Sequence, residues 1–214
     1  MPCNCCEITD NAFTEEEAKS QLKEYRRKGP ANQTRLILTA LRSLQLKDVE
    51  LLDIGGGIGT IHHELLEDTA TRATHVDASS AYLKLAKEEG RRRRHEDRVQ
   101  YIHADFTAIA NDLPQADIVT LDRVVCCYPD FRRLLKAAAE HSRQALALTY
   151  PRETWYMRIA FRVMNFFQKL RRDPFRVFLH PVSEMRLLLQ REGFEQVAMR
   201  RLFIWEMACY RREQ

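Results

Sequence analysis

Residues 50–66 read ELLDIGGGIGTIHHELL. An apolar run, Leu51, Leu52 and Ile54, stops at three consecutive glycines, Gly55, Gly56 and Gly57, and Gly59 follows after Ile58. Beyond them Ile61, Leu65 and Leu66 fall at helical spacing. The pattern predicts a buried strand, a glycine turn and the first turns of a helix, the place where an α/β sheet receives a nucleotide-like ligand. Glycine permits positive φ in such a turn and removes the Cβ that would keep a ligand from the backbone. The helix start then offers it unpaired N–H groups.

The spacing narrows the ligand. A dinucleotide fingerprint is G-x-G-x-x-G/A, but after Gly55 and Gly57 its third position is Thr60, and Gly59 sits one place too early. What stands here is D-x-G-x-G-x-G, from Asp53 through Gly55, Gly57 and Gly59. This motif closely resembles the first motif of the Rossmann-like, class I S-adenosylmethionine-dependent methyltransferases. An NAD-dependent oxidoreductase is disfavoured by Thr60.

The chain supports that assignment further along. The stretch ATHVDAS, residues 73–79, predicts a second strand ending at Asp77. An acid about twenty residues past the glycine turn is placed to accept both ribose hydroxyls, because a carboxylate matches a vicinal diol. A third strand over 99–103 runs into Ala104, Asp105 and Phe106. The resemblance implies that Asp105 accepts from the adenine amino group while Phe106 lies on the ring; Asp105 also suits a helix cap. A fourth strand, read over 116–125 in ADIVTLDRVVCCYPD, carries Asp122 and Arg123 at its carboxyl end, where open α/β sheets hold ligands. The cofactor set so implied is Asp53, Gly55, Gly57, Gly59, Asp77, Ala78, Asp105, Phe106, Asp122 and Arg123, with Asp53 ordering the loop rather than meeting substrate. Cys127 and Tyr128 then border the transferred methyl. The [D/N]-P-P-[Y/F/W] signature of adenine-N6 methyltransferases is missing there, which argues against a nucleic-acid base as acceptor.

Before the first strand, Thr14 and Glu17 form a capping-box start for a helix with Ala18, Leu22 and Tyr25 on one face. Gly29-Pro30 ends it, and a second helix follows with Leu36, Ile37, Ala40, Leu41 and Leu44. The resemblance implies that residues 1–47 cover the site, so that Tyr25 and Arg26 could face it. Four arginines, Arg91, Arg92, Arg93 and Arg94, close the helix after the second strand and read as a solvated helix end.

A fifth strand over 145–150 stops at Pro151. Residues 152–180 form an insertion, in which Trp155, Ile159, Val163, Phe166, Phe167 and Leu170 share one helical face. Aromatic stripes mostly pack in cores, which makes a structural helix the leading reading. A lid over an apolar substrate and a membrane-facing surface are the other two. A helix after Ser183 and two hairpin-joined strands over 196–202 and 204–210 complete the chain. By resemblance the fold is a Rossmann-like three-layer α/β sandwich. Its seven-stranded, mostly parallel sheet takes the order 3-2-1-4-5-7-6, with an antiparallel last strand and extra N-terminal helices. All 214 residues then make one methyltransferase domain. Within the family the chain is loosely similar to small bacterial methyltransferases grouped with magnesium-protoporphyrin O-methyltransferase.

Composition adds limits. A formal charge of +4 is too mild to point to nucleic acid. No apolar run is long enough to span a membrane and no signal-peptide pattern opens the chain, so a cytoplasmic location is expected. Cys3, Cys5, Cys6, Cys126, Cys127 and Cys209 then read as reduced thiols, and C-x-C-C alone lacks a zinc-site spacing, so no metal is expected. The expected activity is methyl transfer from S-adenosyl-L-methionine to a small-molecule thiol, hydroxyl or carboxylate by a monomer or homodimer. A non-catalytic cofactor- or nucleotide-binding protein and an RNA or protein methyltransferase are the alternatives. No base is identifiable; Tyr25, His62, His63, Cys127 and Tyr128 are the groups that could lie near the methyl.

Overall fold

The glycine turn does begin where the first strand ends. The computed structural model describes residues 5–213. Cys3 lies outside the described residues, as do the side chains of Cys5 and Cys6. Three helices come first, α1 (Cys5–Ala12), α2 (Glu15–Lys28) and α3 (Asn32–Ser43). Thr14 and Glu17 make the reciprocal capping box that starts α2. Alternating strands and helices follow: β1 (Val49–Ile54), α4 (Thr60–Leu65), β2 (Ala70–Asp77), α5 (Ser80–Arg93), β3 (Val99–His103), α6 (Phe106–Ile109), β4 (Ala116–Asp122), α7 (Phe131–His141) and β5 (Ser142–Pro151). The chain closes with α8 (Trp155–Leu170), α9 (Val182–Arg191), β6 (Phe194–Arg201) and β7 (Trp205–Arg212).

The sheet order is β3-β2-β1-β4-β5-β7-β6, and β7 runs antiparallel to both of its neighbours. This is the expected order. The central strands are buried on both faces, which is why β1 and β4 read as continuous apolar runs rather than alternations. Leu52, Val119, Leu121 and Leu146 pack on one face with α7 and α9, and Leu51, Ile118 and Ala147 pack on the other with α3 and α4.

Three expectations need correction. Strand β4 ends at Asp122, not Val125; Arg123 takes φ of 63° and turns the chain out, and Val125–Cys127 is a 3-10 turn. The arginine run is only partly solvated. Arg92 and Arg93 fold back onto Glu89, a fully buried acid that also receives Arg26 from α2. The largest departure is α8. Trp155 is 74% exposed, Phe166 63% and Leu170 71%, and Ile159, Val163 and Phe167 are exposed as well. Both sheet faces are already covered, so the helix lies beyond the carboxyl end of β5 with only Met157 buried. The stripe predicted as core faces outward.

Candidate functional site

The site begins with the backbone of the loop after β1. Gly55, Gly57 and Gly59 have φ of 60°, 58° and 84°, the left-handed region that carries a steric cost for residues with a Cβ. Gly56 matters for a different reason. A Cβ there would sit 2.5 Å from Asp53 Oδ2 and 3.1 Å from His75 Nε2, both held in closed packing. Gly56→Ala is therefore expected to destabilise by about 1–3 kcal/mol through overpacking, read as a fall of several degrees in Tm by calorimetry. An unchanged Tm would mean that the layer beneath the loop yields.

That layer is polar and closed. Asp53 is fully buried behind the loop, accepting from Thr120 Oγ1 at 2.7 Å and paired with His62 Nδ1 at 3.1 Å. His62, His63 and His75 are fully buried around it, and His63 meets His95 at 3.3 Å. Burial pushes His62 well below its ordinary pKa, and the neighbouring His75 and His95 add to the shift. These rings pack as a closed layer beneath the loop. One donor atom each from Asp53, His62 and His75 lies within 4.8 Å of the others, although His62 and Asp53 already bond one another. Neither His62 nor His63 faces the cavity, so the expectation that they could approach the methyl is overturned. Both Asp53 and Gly59 also stand behind the loop rather than on the cavity wall.

In front of the loop lies a cavity of about 840 Å³, outside the carboxyl ends of the parallel strands. Asp77 anchors it at the end of β2. Its Oδ2 accepts from Gly57 N and its Oδ1 from Ser79 N, both at 2.8 Å, so the acid ties the glycine loop to the cap of α5. Ala78 follows on the wall. At the end of β3, Asp105 caps α6 by accepting from Thr107 N at 3.0 Å, and Phe106 is buried beside it. Tyr128 Oη reaches Asp105 at 3.2 Å and also meets Thr107 Oγ1. Burial and the Asp105 charge hold the Tyr128 hydroxyl above its usual pKa, against the pull of Thr107.

Asp122, at the end of β4, accepts from Thr34 Oγ1 at 2.6 Å and from the Thr149 hydroxyl. Arg123 Nε stands 3.8 Å from the same carboxylate. The turn beyond places Cys126 and Cys127 with sulfurs 3.8 Å apart. The Cys126 thiol beside Cys127 draws the Cys127 pKa down against burial, and Arg123 adds to this. The turn is pinned by Phe178 N, which donates to Cys126 O at 2.7 Å, and by His180 Nε2, which stands 2.9 Å from Tyr128 O.

Tyr25 does line the cavity, but its hydroxyl donates to Glu64 at 2.7 Å, and burial followed by that bond raises its pKa. Sequence reading missed Thr34 and Tyr82, and also Phe161, Met164, Phe175 and Val177, which give the cavity an apolar wall. Helical phase alone could have separated Phe161 and Met164 from the outer stripe of α8.

Residues 51–145 match a family model described as a methyltransferase domain. The fold is similar to that of magnesium protoporphyrin IX methyltransferase from Synechocystis PCC 6803 with bound SAH. That match has a TM-score of 0.71 at 17% identity and covers 98% of this chain and 100% of that one. An O-methyltransferase family protein from Burkholderia thailandensis matches with a TM-score of 0.64 at 15% identity, over 95% and 64% of the two chains. An O-methyltransferase family 2 protein from Planctomyces limnophilus DSM 3776, in complex with apigenin, matches at 0.60 and 18%, over 77% and 51%. A comparison with curated protein sequences finds no match.

Proposed function

This chain carries a class I S-adenosylmethionine-dependent methyltransferase domain, and from that premise we propose that it methylates a small molecule with an apolar body and a thiol, hydroxyl or carboxylate nucleophile. The observation that carries the substrate class is the cavity lining, in which Phe13, Phe161, Met164, Phe175 and Val177 stand together with three carboxylates, Asp77, Asp105 and Asp122. A space of about 840 Å³ lies in the usual range for small-molecule sites. Helices α1 and α2 and the link between them contribute Thr9, Phe13, Gln21 and Tyr25 to the same wall, which supports residues 1–47 as the cover and 152–180 as a second flap within one domain.

The residues present fit the cofactor. The glycine loop would receive the methionine portion along its backbone, and Asp77, fixed by two amide donors, would have a further lone pair on each oxygen for the ribose hydroxyls. Asp105, with Phe106 and Ala78, makes the adenine end. Bound S-adenosylmethionine supplies a methyl already activated by its sulfonium, so the protein's task is alignment and the exclusion of water. Asp122 accepts from Thr34 on one oxygen and from Thr149 on the other, contacts that hold the β4 turn in place. Tyr128 is engaged with Asp105 and Thr107. Of the three candidates that line the cavity, Tyr25, Cys127 and Tyr128, the first is bonded to Glu64, so Cys127 is the one to receive or orient the acceptor's proton.

Calorimetric titration with S-adenosylhomocysteine, and with NAD in parallel, is expected to give micromolar binding of the first and no heat with the second. Saturation by NAD alone would overturn the reading. In a methyl-release assay with thiols and carboxylates, Cys127→Ala should lower kcat by roughly 10²-fold, the scale of a lost proton-transfer group, with S-adenosylhomocysteine affinity intact. Unchanged turnover would remove Cys127 from the chemistry.

A further inference from the structure

The apolar stripe of α8 is exposed along its whole length and continues onto the turn between β6 and β7. Tyr156 stacks on Phe203 with centroids 5.7 Å apart, and Phe203 is itself 77% exposed. Charge runs alongside. Taking 100° per residue, Arg158, Arg162 and Lys169 fall together on one flank of the Trp155–Phe166–Leu170 stripe, and Arg171 and Arg172 follow the last turn. The helix contains no Asp or Glu. Arg158 pairs with Glu153, whereas among the described residues Arg162, Lys169, Arg171 and Arg172 have no carboxylate partner. On its inner side the same helix supplies Phe161 and Met164 to the cavity, and Asn165 fixes its position by exchanging two hydrogen bonds with the Val177 backbone, at 2.8 and 3.0 Å.

We infer that this face docks on a bilayer surface containing anionic phospholipid. An apolar stripe with aromatic ends enters the boundary between headgroups and acyl chains while the flanking cations stay at phosphate level. Aromatic side chains at such a boundary keep their rings in apolar surroundings, and long basic side chains reach outward from the same depth. A second copy of the chain fits less well. It would bring more cations to a helix that has no acid to meet them, and unpaired like charges oppose association. Docked in this way, α8 sets the cavity wall beside the lipid, where an acceptor with an apolar body concentrates. The docking itself does not depend on the reading of the acceptor.

Flotation of the full chain with vesicles tests it. Vesicles of phosphatidylcholine containing phosphatidylglycerol are expected to carry the protein, with binding about ten-fold or more above phosphatidylcholine alone and falling as salt is raised. Phe166→Glu with Leu170→Glu should abolish flotation, and Arg162→Glu with Lys169→Glu should reduce it at least about ten-fold, with S-adenosylhomocysteine affinity unchanged in both as the check on folding. No flotation of the wild-type chain, or equal flotation on both vesicle types, would overturn the inference. A homodimer in light scattering that Phe166→Glu with Leu170→Glu dissolves, in a chain that does not float, would assign the face to a second copy instead. Since the wild-type lipid and salt comparison stands without any variant, misfolding of a mutant leaves the test intact. Loss of vesicle binding with cofactor affinity retained separates failure of this inference from failure of the methyltransferase reading.

Discussion

Asp77→Ala is expected to weaken S-adenosylhomocysteine binding by on the order of 1–3 kcal/mol, about ten- to hundred-fold. Two effects act in the same direction. On the proposed assignment the ribose loses a charged acceptor, and the loop loses the carboxylate that accepts from Gly57 N and Ser79 N. The second effect follows from the geometry, since one side chain joins the glycine turn to the start of α5. Asp77→Asn separates the two. Its single amide oxygen can still accept from one backbone donor, while its NH₂ faces the other, so it should fall between wild type and alanine in loop order and close to alanine in affinity. Calorimetric titration with a parallel Tm reads both quantities. Full affinity in a folded Asp77→Ala protein would remove the ribose assignment, because no other carboxylate stands at the end of β2.

The strand-to-glycine transition was legible because it combines three local signals: an apolar run, glycines needed at positive φ, and a helical repeat restarting at Ile61. Each depends on backbone geometry that neighbours in sequence impose. The ends of β2 and β3 were legible for the same reason, as acids terminating apolar strands. The fate of long side chains was not. Local charge counting predicts that a run of four arginines is solvated, yet Glu89 within the same helix is buried, and it draws Arg93 inward and holds the half-exposed Arg92 by hydrogen bonds. His62 and His63 were similarly opaque. They share a helix start with the cofactor loop, but the phase of α4 points His62 at Asp53 and His63 at His95, both off the cavity wall. The outer stripe of α8 shows the general difficulty: helical periodicity reveals that one face is apolar, but whether protein, substrate or lipid covers it depends on what else occupies the sheet.

Glu89→Gln is expected to lower stability at neutral pH by roughly 3 kcal/mol and to lose that effect in acid. Glu89 is fully buried, and burial alone would raise its pKa. Hydrogen bonds from Arg92, Arg93 and Arg26 outweigh that and hold it at about 2, against an ordinary value of 4.5. The folded pKa is depressed, so its contribution is complete above the unfolded value and disappears as pH falls from about 4.5 towards 2. The neutral amide resembles the protonated acid. Urea denaturation of both proteins across that window should therefore show a difference that is large at pH 7 and closes in acid; a difference that stays constant would mean that packing, not charge, is what the glutamate contributes. The consequence reaches the site. Arg26 belongs to α2 and its Nη2 stands 2.8 Å from Glu89 on α5, while Arg93 lies 5.0 Å over the ring of Tyr25, a cavity wall residue. Neutralising Glu89 releases the clamp that holds α2 against the body of the fold, so the variant should bind S-adenosylhomocysteine more weakly at pH 7 although no atom of Glu89 lines the cavity.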